Sequence, residues 1–359
     1  MKVVLIGIGQ AGGKLTQALA EHDYEMGFDA VRGALAVNTA EADLQSLDIE
    51  TMLVGQDRVK GHGVGGDNEL GAEIMQAEAT EVMDGLDGKV TSEAEAIFIV
   101  AGLGGGTGSG GAPALARELK RVYSMPVYAM GVLPGRDEGS IYQANAGRSL
   151  KTLARETDSV LLIDNDAWRD ADESVGEGFD HINQQIAQRV GLLLASGEAV
   201  EGVAESVVDS SEVINTLRSG GLSALGFASA AASEDAGDNV NTITSTARNA
   251  LLTGSSLPNA VKADSALLVI AGEPDRISRK GVERARKWLE EETESMQVRG
   301  GDFPLESDRL AALVLLGGVE RSPRLTEFME RASEASKQQQ EPAADPTESF
   351  QNDDLDDLF

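Results

Sequence analysis

A glycine-rich segment constrains the fold of this chain more than any other part of its sequence. Residues 102–111 read Gly-Leu-Gly-Gly-Gly-Thr-Gly-Ser-Gly-Gly, directly after the apolar run 96–101 and directly before a helix-like stretch that begins at Ala112. A strand therefore leads into a glycine loop that opens a helix. Because glycine has no Cβ, several backbone N–H groups can converge there, and the hydroxyls of Thr107 and Ser109 and the helix N-terminus add to them. Such a loop is suited to bind phosphate oxygens.

The spelling of this loop excludes the ordinary P-loop, because the Walker pattern Gly-x-x-x-x-Gly-Lys-Ser/Thr requires a lysine that 102–111 lacks. A second glycine segment, 7–14, follows the first apolar run and fits the dinucleotide fingerprint Gly-x-Gly-x-x-Gly. By itself this segment fits NAD and GTP alike. A dehydrogenase carries an acid at the end of its second strand for the ribose 2′-hydroxyl, where this chain has Val37-Asn38-Thr39. An NAD-dependent enzyme therefore stays a remote alternative.

Composition limits the class of protein. The 359 residues, 41% of them hydrophobic, suffice for two ordinary domain cores. There is no run of about twenty apolar residues and the chain opens with a strand-like run, so we expect neither a membrane span nor a signal peptide. The absence of cysteine excludes disulfides and thiolate metal sites, and a cytoplasmic protein is the simplest expectation.

The charge balance is strongly acidic. There are 60 acidic and 30 basic residues, a formal net charge of -30, with no visible basic cluster. Such a chain repels nucleic acid and anionic lipid, so we expect no nucleic-acid partner and no direct membrane insertion. The acids are dispersed along the whole chain. A dispersed acidic surface is typical of proteins in multimolar salt, and we expect a halophilic host; the alternative is an unusually acidic mesophilic protein.

The first half of the chain alternates strand-like runs with helical stretches, which predicts a parallel sheet covered by helices on both faces. The strand-like runs are 3–8, 34–37, 51–54, 97–101, 127–132 and 160–163. Next, 179–195 repeats apolar residues at three- and four-residue steps, which predicts a buried central helix. Beyond residue 210 we expect a smaller α+β domain, with helices at 212–217, 241–252 and 278–292 and strands at 266–271 and 311–316.

The letters Gly-Gly-Gly-Thr-Gly-Ser-Gly at 104–110 resemble the signature loop of the tubulin and FtsZ superfamily. The resemblance continues in the same order over about residues 1–320, and it implies a Rossmann-like GTP-binding domain, GTP or GDP as ligand and Mg²⁺ as cofactor. It assigns to the nucleotide site Gly9, Gln10, Ala11, Gly12, Gly13, Lys14, Asn38, Gly65, Gly66, Gly104, Gly105, Gly106, Thr107, Gly108, Ser109, Glu138, Asn165 and Asn183.

Within that set the resemblance implies distinct roles. Segment 61–67 is similar to the loop that senses the γ-phosphate, and Gln10 and Asp67 are candidates for holding Mg²⁺ through oxygen ligands. Glu138 falls in the family's ribose loop, at the position that accepts a hydrogen bond from a ribose hydroxyl. Asn165 and Asn183 fall at guanine-contacting positions, although a lone Asn can also simply form a turn. At Gly106 we expect a Cβ to occupy space that a phosphate needs.

The resemblance also implies that catalysis comes from another molecule, because the superfamily projects acids from one subunit into the nucleotide pocket of the next. The segment Asp209-Ser-Ser-Glu212 matches that loop, and we assign Asp209 and Glu212 as the catalytic acids. The FtsZ pattern is Asn-x-Asp-x-x-Asp. This chain has Val207 in place of the Asn and Glu212 in place of the second Asp. Asp209 can equally be a helix N-cap, since Asp209 and Glu212 spell a capping box. With the acidic composition, these departures make the chain most similar to the archaeal CetZ family.

The resemblance implies four regions. These are a GTP-binding domain at 1–177, the central helix and its connecting loop at 178–208, a C-terminal α+β domain at 209–325, and a disordered acidic tail at 326–359. The tail is rich in Ser, Gln, Glu, Asp and Pro, which bury too little apolar surface to offset the entropy of ordering. Its last residues place Leu and Phe between acids, so it is either a docking peptide for a partner protein or a solubilising tail.

These inferences predict a cytoskeletal GTPase that assembles head to tail with copies of itself and acts in archaeal cell shape. The alternatives are an FtsZ-type cell-division GTPase, a nucleotide-binding regulator that does not polymerise, and, remotely, the NAD-dependent enzyme. The absent ribose acid at 38–39 argues against the last, and the presence of Glu212 argues against the regulator.

The charge predicts a stability that depends on salt. Repulsion within a surface of net charge -30 is screened over about 3 Å at 1 M salt and reaches further on dilution. We expect the midpoint of thermal unfolding to be clearly lower in about 0.1 M than in about 3 M potassium chloride. Equal midpoints, measured by circular dichroism at both salt concentrations, would show that the fold does not need a halophilic environment.

Overall fold

Ten strands form one continuous sheet in the computed structural model, which describes residues 1–167, 175–197 and 208–340. In chain order the strands are β1 (Val3–Ile8), β2 (Val31–Asn38), β3 (Thr51–Leu53), β4 (Ala96–Gly102), β5 (Val127–Leu133), β6 (Ser159–Asp164), β7 (Leu222–Ala231), β8 (Lys262–Gly272), β9 (Gln297–Pro304) and β10 (Arg309–Arg321).

Helices cover both faces of the sheet. In chain order they are α1 (Gly9–Met26), α2 (Glu41–Leu44), α3 (Gln56–Val59), α4 (Asn68–Ala77), α5 (Ala79–Asp84), α6 (Thr107–Val122), α7 (Ser140–Glu156), α8 (Val175–Ser196), α9 (Ser210–Leu217), α10 (Val240–Leu252), α11 (Arg279–Thr293) and α12 (Pro323–Gln340). None of the helices in the described ranges is long and apolar enough to cross a lipid bilayer.

The strand order β3-β2-β1-β4-β5-β6-β7-β10-β8-β9 decides where a ligand can bind. In the part of the chain that the structure describes, only β10 pairs antiparallel with its neighbours, β7 and β8. All other strands end at one edge of the sheet, the carboxyl edge, and begin at the opposite, amino edge. The chain order reverses between β1 and β4, and open α/β sheets bind ligands at such a reversal, outside the carboxyl edge.

The sheet has an apolar core on each face, because successive residues of a strand point to opposite sides. Along β1, Val4, Ile6 and Ile8 belong to one buried cluster, with residues of α4, α6 and α7, while Val3 and Leu5 belong to the other. The second cluster contains α1 and the long helix α8, which pack against each other. The buried residues of α8 include Ile182, Ile186, Val190, Leu193 and Leu194. The prediction of a buried central helix is therefore confirmed.

Every strand predicted in the first half of the chain is present, but β7 and β9 escaped sequence analysis. β7 reads Leu-Ser-Ala-Leu-Gly-Phe-Ala-Ser-Ala-Ala, which has few of the branched residues typical of strands. Its small residues are required by packing, since a Cβ on Gly226 would lie 2.2 Å from the carbonyl oxygen of Ala250 in α10. β9 is polar and pairs with β8 at the end of the sheet.

The prediction that the tail is disordered from 326 onward is wrong for residues 326–340, which belong to α12. Phe328, Ala332 and Ala335 are buried on one side of this helix. They pack toward α7, where a Cβ on Gly147 would lie 2.5 Å from the Cβ of Ala332. Sequence analysis judged the segment by its polar composition and overlooked three apolar residues at helical spacing. Residues 341–359 lie outside the described part of the chain.

The packing of α12 predicts a large effect at Phe328, which is 1% exposed. We expect Phe328→Ala to lower the free energy of unfolding by about 3–5 kcal/mol, the usual cost of removing a buried aromatic ring. Glu334→Ala, an exposed change on the same helix, should alter it by less than about 0.5 kcal/mol. Urea denaturation in concentrated salt measures both values. Equal stabilities of the two variants would mean that α12 does not pack in solution.

Candidate nucleotide and catalytic site

The predicted nucleotide segments follow neighbouring strands at the carboxyl edge. Segment 7–14 runs from the end of β1 into α1, and 102–111 runs from the end of β4 into α6. Ile8 lies opposite Ala101 in the β1–β4 register, so the two glycine segments begin at the same level. Asn38 ends β2, Glu138 follows β5 and Asn165 follows β6, three strands close to β1 and β4 in the sheet. Gly65, Gly66 and Asp67 directly precede α4, and Asn183 lies on α8. The fold thus brings the two predicted glycine segments to the same edge of the sheet.

The two glycine segments contact each other. Gly9 has a φ of +74°, and a Cβ on it would lie 3.0 Å from the backbone nitrogen of Gly108. The Thr39 and Thr107 hydroxyl oxygens are 2.6 Å apart and both side chains are buried, which joins the turn after β2 to the start of α6. Two helix N-termini, those of α1 and α6, therefore meet at the reversal of strand order, where their backbone N–H groups favour an anion.

Most of the predicted glycines serve close packing. A Cβ on Gly12 would lie 2.2 Å from the carbonyl oxygen of Val100, and a Cβ on Gly13 would lie 2.9 Å from Leu47. These two positions face the protein, so only their backbone could contact a nucleotide. The other predicted members of the α1 segment, Gln10, Ala11 and Lys14, are exposed.

Loop 104–110 contains one glycine with open space above it and several that are enclosed. A Cβ on Gly105 would meet no protein atom within 4 Å, and Gly105 is exposed. A Cβ on Gly106 would lie 2.4 Å from Val64 Cγ2 and 3.0 Å from the nitrogen of Asp67, so the expectation that it would displace a phosphate is wrong. It would displace segment 61–67. Gly105 is the position whose Cβ would enter the open space over the loop.

The remaining predicted residues of this loop, Gly104, Gly108 and Ser109, contact the surrounding protein. Gly104 lies against Pro134 and Tyr142, and Gly108 lies against the carbonyl oxygen of Gly102. The Ser109 hydroxyl donates to the carbonyl oxygen of Gly105, within the loop itself. The loop is thus held in shape both by its own Ser109 and by neighbouring residues outside it.

Segment 61–67 forms a third side of the predicted nucleotide site, beside the glycine segments 7–14 and 102–111. Gly65 and Gly66 both have positive φ, and Gly65 has no protein atom near its Cβ direction. Asp67 caps α4, since its Oδ1 accepts a hydrogen bond of 3.0 Å from the nitrogen of Leu70. Its carboxylate is nevertheless exposed, as is Gln10. Among the described residues no group of three or more His, Cys, Asp or Glu side chains could hold a metal ion.

The base and ribose residues follow β5, β6 and the start of α8. Glu138 closes its own turn, because its Oε1 accepts from the nitrogen of Gly135 at 2.8 Å. Asn165 directly follows β6 and is 8% exposed. Asn183 is half-buried on α8, eleven residues before Leu194, or about 17 Å along the helix. Leu194 accepts from the Met1 amino group at the amino edge, so Asn183 lies toward the carboxyl edge.

Asn38 does not face a nucleotide as predicted. It is 2% exposed, its Oδ1 accepts from the nitrogens of Thr39 and Ala40, and its Nδ2 donates to Asp43 at 3.0 Å. These bonds hold the turn after β2, which in turn positions Thr39 beside Thr107. Asn38 therefore supports the site indirectly, through the turn that it holds.

Sequence analysis missed Asn145, a residue of α7 that joins two walls of the site. Its Nδ2 donates to the carbonyl oxygens of Gly66 and Gly104, at 2.8 and 3.1 Å. Asn145 is 1% exposed, so both bonds are shielded from water. Nothing in the local sequence marks a buried Asn in the middle of a helix; its role depends on long-range packing. Thr39 was passed over for the same reason.

The two acids lie together at the start of α9. Asp209 is the N-cap, and its Oδ1 accepts from the nitrogen of Glu212 at 3.2 Å. The hydroxyl of Ser211 donates to Asp209 and lowers the pKa of that carboxyl group. Burial raises the pKa of Glu212, and repulsion from Asp209 adds to the rise. Glu212 is therefore the stronger base of the pair.

These acids are at the amino edge, opposite the nucleotide segments. Ser210, the first residue of α9, donates to the carboxylate of Glu95, which directly precedes β4, and the other oxygen of Glu95 accepts from the nitrogen of Lys2, which directly precedes β1. The glycine segments begin where β1 and β4 end. A six-residue strand spans about 20 Å, so Asp209 and Glu212 cannot reach the nucleotide site of their own chain.

The glycine geometry predicts different effects at adjacent positions. Gly106→Ala should lower the free energy of unfolding by about 1–3 kcal/mol, because the new methyl group pushes against Val64 and Asp67. Gly105→Ala should leave stability within about 0.5 kcal/mol, yet weaken GTP binding at least about tenfold. Denaturation and calorimetric titration with GTP measure the two quantities. Unchanged GTP affinity of Gly105→Ala would mean that no phosphate sits over this glycine.

Comparisons with known proteins agree with this architecture. Residues 2–172 match the family described as Tubulin/FtsZ family, GTPase domain, and residues 172–334 match Tubulin-like CetZ, C-terminal domain. The chain is 69% identical to the tubulin-like protein CetZ2 of Haloferax volcanii over 360 residues, which covers all of both chains.

Two solved structures are also similar to this chain. The protofilament of Haloferax volcanii CetZ2 with bound GTPγS superimposes with a TM-score of 0.92 at 68% identity, covering 95% of this chain and 100% of that one. The GDP-bound monomer of CetZ1 from the same organism gives a TM-score of 0.86 at 50% identity, covering 93% and 99%. The chain belongs to the CetZ family of tubulin-like proteins and carries the GTPase domain of the Tubulin/FtsZ family.

Proposed function

We propose that this protein is a cytoskeletal GTPase whose active site is completed between two copies stacked head to tail. The observation that carries the proposal is the placement of the two halves of the site at opposite edges of one sheet. GTP binds at the carboxyl edge, and Asp209 and Glu212 stand at the amino edge, about 20 Å away. Stacking the amino edge of one copy on the carboxyl edge of the next brings the halves together. Such a heterologous contact does not close, so it builds filaments.

The similar proteins support this arrangement. The CetZ2 structure that superimposes on 95% of this chain is a protofilament with GTPγS, and the CetZ1 structure is a monomer with GDP. By this likeness the chain binds guanine nucleotides in both phosphorylation states. The NAD-dependent alternative has no support, since residues 2–172 match the GTPase domain of the Tubulin/FtsZ family.

In the proposed complex the chain binds the phosphates mainly through its backbone. The N-termini of α1 and α6 and the N–H groups of 104–110 face the developing negative charge on the γ-phosphate. Gly105 gives the phosphates access to the loop, while Asn145 holds Gly104 and Gly66 at a fixed spacing. Asn165 and Asn183 contact the base and Glu138 contacts the ribose, as the family resemblance implies.

The acids of the neighbouring copy activate the attacking water. Glu212 accepts a proton or polarises the water, since its raised pKa makes it a better base than an ordinary glutamate. Asp209 fixes the first turn of α9 and adds negative charge beside Glu212. Phosphoryl transfer depends chiefly on positioning and electrostatics, so hydrolysis starts when a neighbour docks. The hydrolysis is therefore dependent on assembly.

The site fits Mg²⁺ held mainly by phosphate and water. Asp67 and Gln10 are exposed; Asp67 ends segment 61–67, and Gln10 lies within segment 7–14. Mg²⁺ commonly binds through one or two protein carboxylates plus substrate phosphates, so it needs few protein ligands. When bound, the ion would neutralise charge on the β- and γ-phosphates.

We place the filaments in the cytoplasm and assign them to cell shape, in keeping with the CetZ family rather than with division by FtsZ. The partner that the geometry requires is a second copy of the chain. A further protein that binds the acidic residues 341–359 is compatible with their Leu and Phe side chains. The overall charge of -30 disfavours nucleic acid as a partner.

Mixing two inactive variants tests whether Glu212 acts on the neighbouring subunit. Gly105→Val should lose GTP binding but keep its acids, and Glu212→Gln should bind GTP normally but hydrolyse it at least about 100-fold more slowly. A mixture of the two should regain activity, since the first variant supplies its Glu212 to the GTP bound by the second. Phosphate release measures activity, and sedimentation measures assembly.

The control is Glu283→Gln, which removes an exposed acid from α11, a helix that packs on a face of the sheet against β8 and β9. This variant should hydrolyse GTP like the wild type. If the mixture co-sediments and yet stays inactive, Glu212 does not act across the interface and the proposed arrangement fails.

A further inference from the structure

A buried arginine of α12 binds the chain on both sides of Asn165. Arg324 is 6% exposed, and its guanidinium contacts both Asp164, the last residue of β6, and Asp166, in the turn that follows. The Nη2 atom of Arg324 lies 3.0 Å from Asp164 Oδ1. Asp164 is fully buried, so this ion pair is shielded from solvent and from salt.

The same network extends to the turn at 134–138. The backbone nitrogen of Arg136 donates to both carboxylate oxygens of Asp166, at 3.2 Å each. The guanidinium of Arg136 binds Glu327 of α12 at 3.0 Å. Asp166 thus bridges Arg324 and the turn that carries Glu138. One helix from the end of the described chain therefore holds two separate segments of the carboxyl edge.

The buried pair is tightly coupled. Hydrogen bonds to Asp164 raise the pKa of Arg324 above its usual range, so the charge is permanent. A planar guanidinium can bind two carboxylates at once, whereas a lysine ammonium cannot reproduce that geometry. Without Arg324, the fully buried Asp164 would be left as an unpaired charge, which costs much more than a lost surface ion pair. The backbone between Asp164 and Asp166 would have to move.

We propose that Arg324 is a positioning residue for the guanosine part of the nucleotide. It fixes Asn165 by binding the carboxylates on either side of it, and it fixes the 134–138 turn through Asp166. Helix α12 thereby sets the affinity and the base selectivity of the nucleotide site. This inference rests on the proposed function, because it needs guanine at Asn165 and ribose at 134–138.

Calorimetric titration of the full chain with GDP, IDP and ADP tests the proposal. IDP lacks only the 2-amino group of guanine. The ratio of the IDP to the GDP dissociation constant therefore measures how strongly the site recognises that group of the base. Arg324→Gln should weaken GDP binding about tenfold or more and lower this ratio to that of Asn165→Ala. The double variant should show no further fall in the ratio, because both changes remove the same contact. Arg324→Lys, which keeps the positive charge, should retain part of the base selectivity that Arg324→Gln loses.

Two controls separate positioning from general destabilisation. Lys337→Gln makes the same change of charge at an exposed site on the same helix, and it should leave both GDP affinity and the ratio unchanged. Phe328→Leu weakens the apolar packing of α12 without touching the ion pairs, and it should lower stability while keeping the ratio. Should Arg324→Gln fail to fold, Asp166→Asn serves instead, since it keeps the buried pair with Asp164 and loosens the 134–138 turn.

The outcomes are distinguishable. An unchanged ratio in a folded Arg324→Gln variant overturns the positioning role, and so does an unchanged GDP affinity in Asp166→Asn, whose loosened 134–138 turn should weaken GDP and IDP binding alike. A fall in the ratio for Phe328→Leu as large as for Arg324→Gln overturns it too, because packing alone would then explain the effect. Wild-type protein that binds ADP as tightly as GDP refutes the guanine assignment in the proposed function, and the inference with it.

Discussion

The contact of two helix N-termini with the reversal point of the sheet is the constraint on which the rest of the structure depends. Helix α1 approaches β4 so closely that a Cβ on Gly12 would lie 2.2 Å from the carbonyl oxygen of Val100. Helix α6 starts against α1, with Gly9 beside Gly108. No side chain fits in these gaps, so glycine is required there. The result is a concentration of backbone N–H groups and positive helix ends at one point of the carboxyl edge.

The supports of the site are polar side chains buried behind these loops. Asn38 holds the turn after β2, Asn145 joins two loops, and Arg324 pairs with Asp164. Each is almost fully buried, so its hydrogen bonds do not compete with water. The acids Asp209 and Glu212 are in contrast open to a neighbour at the other edge, and their first helical turn is fixed by the Asp209 cap. The fold thus encloses the supports of the proposed binding half, while Asp209 is exposed and Glu212 half-buried at the opposite edge.

Sequence analysis predicted what local patterns determine. The runs that became β1 to β6, the periodic helix α8 and the two glycine segments were found because spacing and residue type suffice to identify them. Strands β7 and β9 and helix α12 were missed, since their small or polar residues are justified only by distant partners such as Ala250 and Gly147. For the same reason Asn38 was assigned to the nucleotide, although its amide is used within its own turn. Asn145 and Arg324 gave no local signal at all.

The separation of the two halves of the site has an arithmetical consequence for the proposed filament. Each contact between copies completes one active site, so an open chain always contains one fewer completed site than it has subunits. The terminal subunit with a free carboxyl edge holds a nucleotide that no neighbour can hydrolyse, while the subunit at the other end presents acids with nothing to act on. The two ends of such a polymer are therefore chemically different from the first dimer onward, and the polymer has a direction without any further component.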